Sequence, residues 1–185
     1  MKKFELTSEF ITNVLGTKLF RIKALVEFGD VIAGELGGYI EKEENLAQDG
    51  DAWVYGNAEV YGNAEVYGNA WVYGNAEVCG DAKVYGDACV CDNACVCGDA
   101  CVCGDADYST VKGFGRIFRT TTFFRKKDKD IGVSCGCFYG TLEEFRKKVK
   151  ETHGESKTAK EYLMLADLME YKFSREMDVE EEVNQ

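Results

Sequence analysis

The sequence predicts a mainly β protein built around a short parallel solenoid, and three observations support this. The pattern Gly-(Asn/Asp)-Ala-x-Val-x recurs in ten consecutive hexads between Gly50 and Tyr108, with one lapse at Asp92. Each hexad joins a β-branched valine, which suits a buried strand, to a glycine corner, which tolerates positive φ. A fixed period of six residues is typical of stacked coils.

The period also predicts the dimensions of the solenoid. Three hexads close one triangular coil of 18 residues, and successive coils stack about 4.8 Å apart, as paired strands do. Ten hexads therefore predict about 3.3 coils. Alanine and valine point inward, whereas the side chains on either side of each valine point outward.

Hexads such as Val54-Tyr55-Gly56-Asn57-Ala58-Glu59 resemble those of the left-handed parallel β-helix (hexapeptide-repeat) family. The resemblance covers about a third of the chain. It implies a left-handed coil, which the spacing alone does not show, and a homo-oligomer, either a trimer or a dimer. The family includes acyltransferases, carbonic anhydrase-like proteins and structural proteins, so the resemblance indicates a fold rather than an activity.

Composition divides the chain into five segments. We expect an N-terminal cap over 1–49, the β-helix over 50–110, a basic β-hairpin over 111–139, a helical hairpin over 140–175 and an acidic tail over 176–185. Capping boxes beginning at Thr141 and Thr158 predict the two helix starts. Residues 134–141 (SCGCFYGT) and 151–154 (ETHG) resemble a module joined to hexapeptide-repeat proteins of bacteriophages and prophages. This second resemblance implies a phage or prophage source.

Charge and hydropathy restrict the partners. The net charge is −11, yet residues 111–150 carry eleven basic and only four acidic side chains. Overall acidity argues against broad nucleic-acid binding, while the basic segment favours a local anion. The absence of a long apolar run or a signal core predicts no membrane association and a cytoplasmic location, where the nine cysteines stay reduced. The phage resemblance implies that this is the cytoplasm of a bacterial host.

Two groups of residues are candidate ligand-binding sites. The basic segment combines guanidinium, ammonium and hydroxyl groups that suit a phosphate or a nucleotide, namely Arg116, Arg119, Thr121, Arg125 and Lys126. The alternative is charge complementarity with the acidic repeats or tail. The second group is an outward aromatic strip of residues 18 apart, namely Trp53, Trp71, Tyr55 and Tyr73. Its alternatives are a stabilising cross-strand ladder and an oligomer interface.

Cysteines recur as Cys-x-Cys pairs at 89/91, 95/97 and 101/103. Successive pairs should occupy different faces, so four sulfurs do not converge as a zinc site requires. Cys79 and Cys97 should stack one coil apart, within disulfide reach. We interpret the pairs as repeat drift, with soft-metal binding and redox function as alternatives. No metal and no cofactor are predicted.

His153 is the only histidine and lies outside the repeats. Because a carbonic anhydrase of this fold needs three histidines, that activity is excluded. We expect no catalytic residue and no enzyme. The interpretation is a non-catalytic binding or scaffold protein of phage type that sequesters a host factor or a nucleotide-like anionic signal, in counter-defence. The alternatives are an acyltransferase-like enzyme that uses His153 and a purely structural multimer.

Overall fold

The computed structural model describes residues 2–115 and 118–182 and divides into two compact units, residues 1–105 and 106–185. The first unit begins with three antiparallel strands, β1 (Phe4–Thr12), β2 (Lys18–Ala24) and β3 (Leu36–Ile40). The end of β3 changes partner, because Tyr39 and Ile40 pair in parallel with Glu59 and Val60. The cap is therefore continuous with the solenoid.

Nine two-residue strands form the solenoid. They are β4 (Trp53–Val54), β5 (Glu59–Val60), β6 (Glu65–Val66), β7 (Trp71–Val72), β8 (Glu77–Val78), β9 (Lys83–Val84), β10 (Cys89–Val90), β11 (Cys95–Val96) and β12 (Cys101–Val102). Their parallel pairing gives three faces, β3-β5-β8-β11, β4-β7-β10 and β6-β9-β12. Residues 18 apart pair directly, as the period predicts.

The solenoid has about four turns rather than the predicted 3.3. The difference lies in the cap, where β3 supplies one extra rung and Leu46 bridges to Val66 in parallel. A short 3-10 helix (Glu43–Asn45) fills the irregular interval between them. Parallel pairing thus begins ahead of the first hexad.

The interior and the corners of the solenoid follow the hexad pattern. Every repeat alanine from Ala52 to Ala100 and every repeat valine is at most 1% exposed. The glycine corners from Gly50 to Gly98 adopt positive φ, and Asp92 does so as well, at 61°. Asn and Asp side chains link successive coils, as between Asn63 Nδ2 and Asp81 Oδ1 at 3.0 Å.

The second unit is an antiparallel sheet packed on two helices. The sheet contains β13 (Tyr108–Phe114), β14 (Arg119–Arg125), β15 (Ile131–Cys135) and β16 (Phe138–Thr141) in sequence order. The predicted hairpin is thus the central pair of a four-stranded sheet. The helices are α1 (Leu142–His153) and α2 (Lys157–Glu182), and a 3-10 turn (Asp105–Asp107) precedes the sheet.

Only one of the two predicted capping boxes is present at the start of a helix. Thr141 Oγ1 accepts from Glu144 N at 3.2 Å, and Glu144 Oε2 accepts from Thr141 N at 2.8 Å, which confirms the first box. The second is wrong, because Ser156 Oγ accepts from Ala159 N at 3.2 Å, before α2 begins at Lys157. Within the described chain, no helix combines the length and apolarity needed to cross a membrane.

Candidate functional site

A cavity of about 410 Å³ lies between the sheet and the helices of the second unit. The sheet contributes Arg119, Cys135, Cys137 and Phe138 to its lining. The helices contribute Phe145, Lys148, Val149, Thr152, His153 and Tyr162. The residues that form this cavity are spread over more than forty positions of the sequence and meet only through tertiary packing.

Local backbone structure positions the basic side chains. Arg119 begins β14, and its guanidinium passes so close over Gly136 that a side chain at that position would collide with it. His153 is the last residue of α1, and Gly154 ends the helix through an N–H bond to Lys150 O at 2.9 Å. The His153 ring stacks on the Tyr162 ring, with 6.0 Å between centroids.

The cavity combines basic side chains with aromatic walls. Arg119, Lys148 and His153 line it, and among the described residues no carboxylate does so. Phe145 lies 5.5 Å from Phe138 and 5.7 Å from Tyr162, measured between ring centroids. Such a lining suits a flat molecule that carries negative charge.

Two hydroxyl groups near the cavity donate hydrogen bonds within the second unit. Thr121 Oγ1 donates to Cys135 Sγ at 3.2 Å, and the Tyr162 hydroxyl, which lies near Cys135, donates to Phe114 O at 3.5 Å. Burial raises the pKa of Tyr162 to about 12, and the nearby Cys135 adds to the shift while Arg119 opposes it. Tyr162 is therefore a neutral hydroxyl at physiological pH.

The basic segment predicted from the sequence is not a single site. Arg116 lies outside the described residues. Arg119 lines the cavity, and Thr121 is buried below it. Arg125 instead contacts Asp107 at 3.4 Å and donates to Phe173 O at 3.0 Å, while Lys126 lies 3.7 Å from Asp128. Asp107, the acidic partner of Arg125, belongs to the last hexad of the repeat, whereas Asp128, the partner of Lys126, lies in the turn between β14 and β15.

The predicted aromatic strip is partly buried. Trp53 points out of the coil like Trp71, but it is 0% exposed because Phe4 and Phe28 of the cap pack against it, so it offers no binding surface. The other three members, Trp71, Tyr55 and Tyr73, line a cavity of about 550 Å³ together with Asp30 and Cys89. Sequence reasoning missed Asp30, because no periodicity relates the cap loop to the repeats.

The cysteine pairs occupy different faces, since β10, β11 and β12 belong to three different sheets. One face also brings together Cys79, Cys95 and Cys97, whose thiols hydrogen-bond to one another. The hydrogen bond to Cys95 raises the pKa of Cys79 to about 12, although the bond to Cys97 acts in the opposite direction, and the bonds to Cys79 and Cys95 raise the pKa of Cys97. Among residues 2–115 and 118–182, no group of three or more His, Cys, Asp or Glu side chains is arranged to hold a metal.

Fold and cavities together define a β-solenoid protein that carries a separate unit of four strands and two helices. No family model matches the chain. Over 62 residues the chain is 44% identical to "Uncharacterized acetyltransferase YdcK" of Escherichia coli (strain K12), which covers 30% of this chain. The chain spans about a fifth (19%) of that relative's length. The similarity supports the resemblance to hexapeptide-repeat proteins, and the phage-type module stays a prediction.

Proposed function

We propose that the protein is a non-catalytic binding protein whose second unit holds a small nucleotide-like anion. The proposal rests on one observation: Arg119, Lys148 and His153 line a cavity of about 410 Å³ together with aromatic rings. None of the described residues that line this cavity is acidic. The volume lies within the usual range of small-molecule sites. The solenoid serves as a rigid scaffold.

The cavity offers separate groups for the two parts of such a ligand. The Arg119 guanidinium can form forked hydrogen bonds to a phosphate, and the Lys148 ammonium adds a point charge. The Thr152 hydroxyl supplies a further donor on the helical side. The rings of Phe138, Phe145 and Tyr162 offer a stacking surface for a base.

Sequestration follows from tight binding without turnover. The Cys135 thiol, a nucleophile by type, accepts a hydrogen bond from the Thr121 hydroxyl. A protein that binds a nucleotide signal stoichiometrically lowers its free concentration. In an infected bacterial cytoplasm this would be a counter-defence function, in keeping with the phage-type resemblance of residues 134–141 and 151–154.

Titration calorimetry against mono-, di- and cyclic nucleotides tests the proposal. We expect at least one of them to bind, and Arg119→Met and Lys148→Met to weaken it about tenfold or more, as loss of a charged hydrogen bond does. Lys147→Met is the matched control, because Lys147 neighbours Lys148 on α1 but does not line this cavity. If none of the nucleotides in the panel binds, the proposal is wrong.

A second candidate is acetyl transfer, favoured by the relative's printed name and by His153 in the cavity. A neutral His153 nitrogen would take the proton from an acceptor amine or hydroxyl as that group attacks the thioester carbonyl. The carbon–sulfur bond then breaks, and coenzyme A leaves as a thiolate that gains a proton. The cationic lining would hold the phosphates of the coenzyme.

Incubation with acetyl-CoA and a panel of amines and sugars separates the two candidates. Products are followed by chromatography, because the nine cysteines would react with a thiol reagent. Turnover that is lost in His153→Gln would replace the binding proposal with the enzymatic one. Native mass spectrometry of the same samples reports retained ligand and tests the proposed homo-oligomer, a trimer or a dimer.

A further inference from the structure

The cavity on the solenoid is opposite in character to the one in the second unit. Its lining consists of Tyr55, Trp71 and Tyr73, with Cys89 and the carboxylate of Asp30. We propose that this cavity binds a small organic cation carrying a quaternary or methylated ammonium group. The inference is independent of the anion-binding function.

Ring geometry supports a cation. The centroids of Tyr55 and Trp71 are 5.2 Å apart and their planes are inclined at 50°, so the two rings form a corner rather than a flat stack. Tyr73 occupies the same repeat position as Tyr55 one coil further on, and it is 38% exposed. Cations are attracted to aromatic faces by the ring quadrupole, and converging faces form the aromatic cages that recognise quaternary ammonium.

The corner is supported from behind, which keeps it preorganised. Trp53 is fully buried and packs edge-on against Tyr55, at 6.4 Å between centroids. Phe28 of the cap also packs edge-on against Trp53, at 5.3 Å between centroids. Because Trp53 and Trp71 lie on paired strands, β4 and β7, the walls are fixed by backbone hydrogen bonds.

The charged side chains around the cavity favour a cationic ligand. Asp30 is the charged member of the described lining, and no basic side chain is among it. Glu35 also lies near, because both carboxylates add to the effect of burial in raising the pKa of Tyr55. A hydrogen bond to Cys91 raises the pKa of Tyr73 to about 12. The rings therefore stay neutral, and the surrounding potential is negative.

Choline and its neutral carbon isostere, 3,3-dimethyl-1-butanol, provide a matched pair of probes. They have nearly the same shape and differ in charge, so comparing them isolates the cation–π and carboxylate contributions. Calorimetry on the full chain, supported by tryptophan fluorescence, should show choline binding about tenfold more tightly than the isostere. Equal affinities, or no binding of choline, would overturn the proposal.

Variants locate the site. Trp71→Leu should remove choline binding, and Asp30→Asn, an exposed position that leaves the fold intact, should weaken it about two- to fivefold at low salt. Tyr67→Leu on a different face is the control and should bind choline normally. If Trp71→Leu instead changes the native mass while choline never binds, the groove is an interface between copies of this chain and the proposal fails.

Discussion

Gly80 and Gly98 stack directly on one another at one corner of the solenoid, one coil apart. A Cβ atom on Gly80 would lie 2.8 Å from Gly98 N, and the φ of Gly80 is +72°. Backbone approaches backbone here, with no flexible side chain that could move aside. Both the conformation and the close stacking therefore require glycine at this corner.

Gly80→Ala is accordingly expected to destabilise the protein by about 1–3 kcal/mol, from backbone strain and the steric conflict together. Gly104→Ala is the matched control, because Gly104 occupies the same hexad position, lacks a positive φ, and has no atom near its would-be Cβ. Its effect should be within about 0.5 kcal/mol. Urea unfolding of both variants measures the difference, and equal costs would contradict the stacking argument.

The hexads predicted the rungs because inward valine, inward alanine and corner glycine are all local features of one repeat. They did not predict the first rungs, since Ile40, Leu46 and Val54 are spaced six and eight residues apart and so break the period. Of the residues that line the cavity in the second unit, the sequence singled out Arg119 as a ligand-binding residue and His153 as the base of the alternative enzyme, but it did not bring the two together. Lys148, His153 and Tyr162 reach it because two helices pack on a sheet, and no spacing in the sequence encodes that packing.

Lys3 closes the N-terminal end of the solenoid from within. Its Nζ donates to the carbonyl oxygens of Ala52 at 2.9 Å, Asp49 at 3.2 Å and Gly50 at 3.3 Å, and the residue is 4% exposed. Burial lowers the pKa of Lys3 from 10.5 to about 8, although the charges of Asp49 and Asp51 act in the opposite direction. A charged Lys3 is thus less favourable in the folded protein than in the unfolded chain.

Between pH 8 and 10.5 the unfolded chain holds the Lys3 proton while the folded protein releases it. The Lys3 contribution to the free energy of unfolding therefore rises with pH across this window, by about 1–3 kcal/mol. Chemical denaturation of the wild type and of Lys3→Met at pH 7 and pH 10 isolates the Lys3 contribution. The cysteine thiols titrate in both proteins, so their effect cancels when the two free energies of unfolding are subtracted. If the free energy of unfolding of the wild type minus that of Lys3→Met stays constant or falls from pH 7 to pH 10, burial does not depress the pKa of Lys3.

Cys79 and Cys97 directly follow the paired strands β8 and β11 at equivalent repeat positions, and their thiols are in hydrogen-bond contact. Mild oxidation is expected to join them, since paired strands place such residues within disulfide range. Closing a loop of this length stabilises a protein by about 3 kcal/mol. Because the pKa of both thiols is raised, the bond should form slowly at pH 7 and faster at pH 9.

Peptide mapping by mass spectrometry identifies the bond between Cys79 and Cys97. Cys97→Ala should abolish the cross-link, whereas Cys103→Ala, on another face, should leave it unchanged. Preferential oxidation elsewhere, or a rate independent of pH, would contradict the contact seen between the two thiols.

Trp53 and Trp71 share one repeat position and pair directly, yet only Trp53 is covered by the cap. Trp53→Leu should therefore cost about 2–4 kcal/mol of stability, because it leaves a cavity among Phe4, Phe28 and Tyr55. Trp71→Leu should cost less than about 1 kcal/mol, because its ring borders an open groove. Acrylamide should quench mainly the fluorescence of Trp71, measured in Trp53→Phe. Equal quenching of the two rings, or equal stability losses, would show that the cap does not cover the solenoid at Trp53.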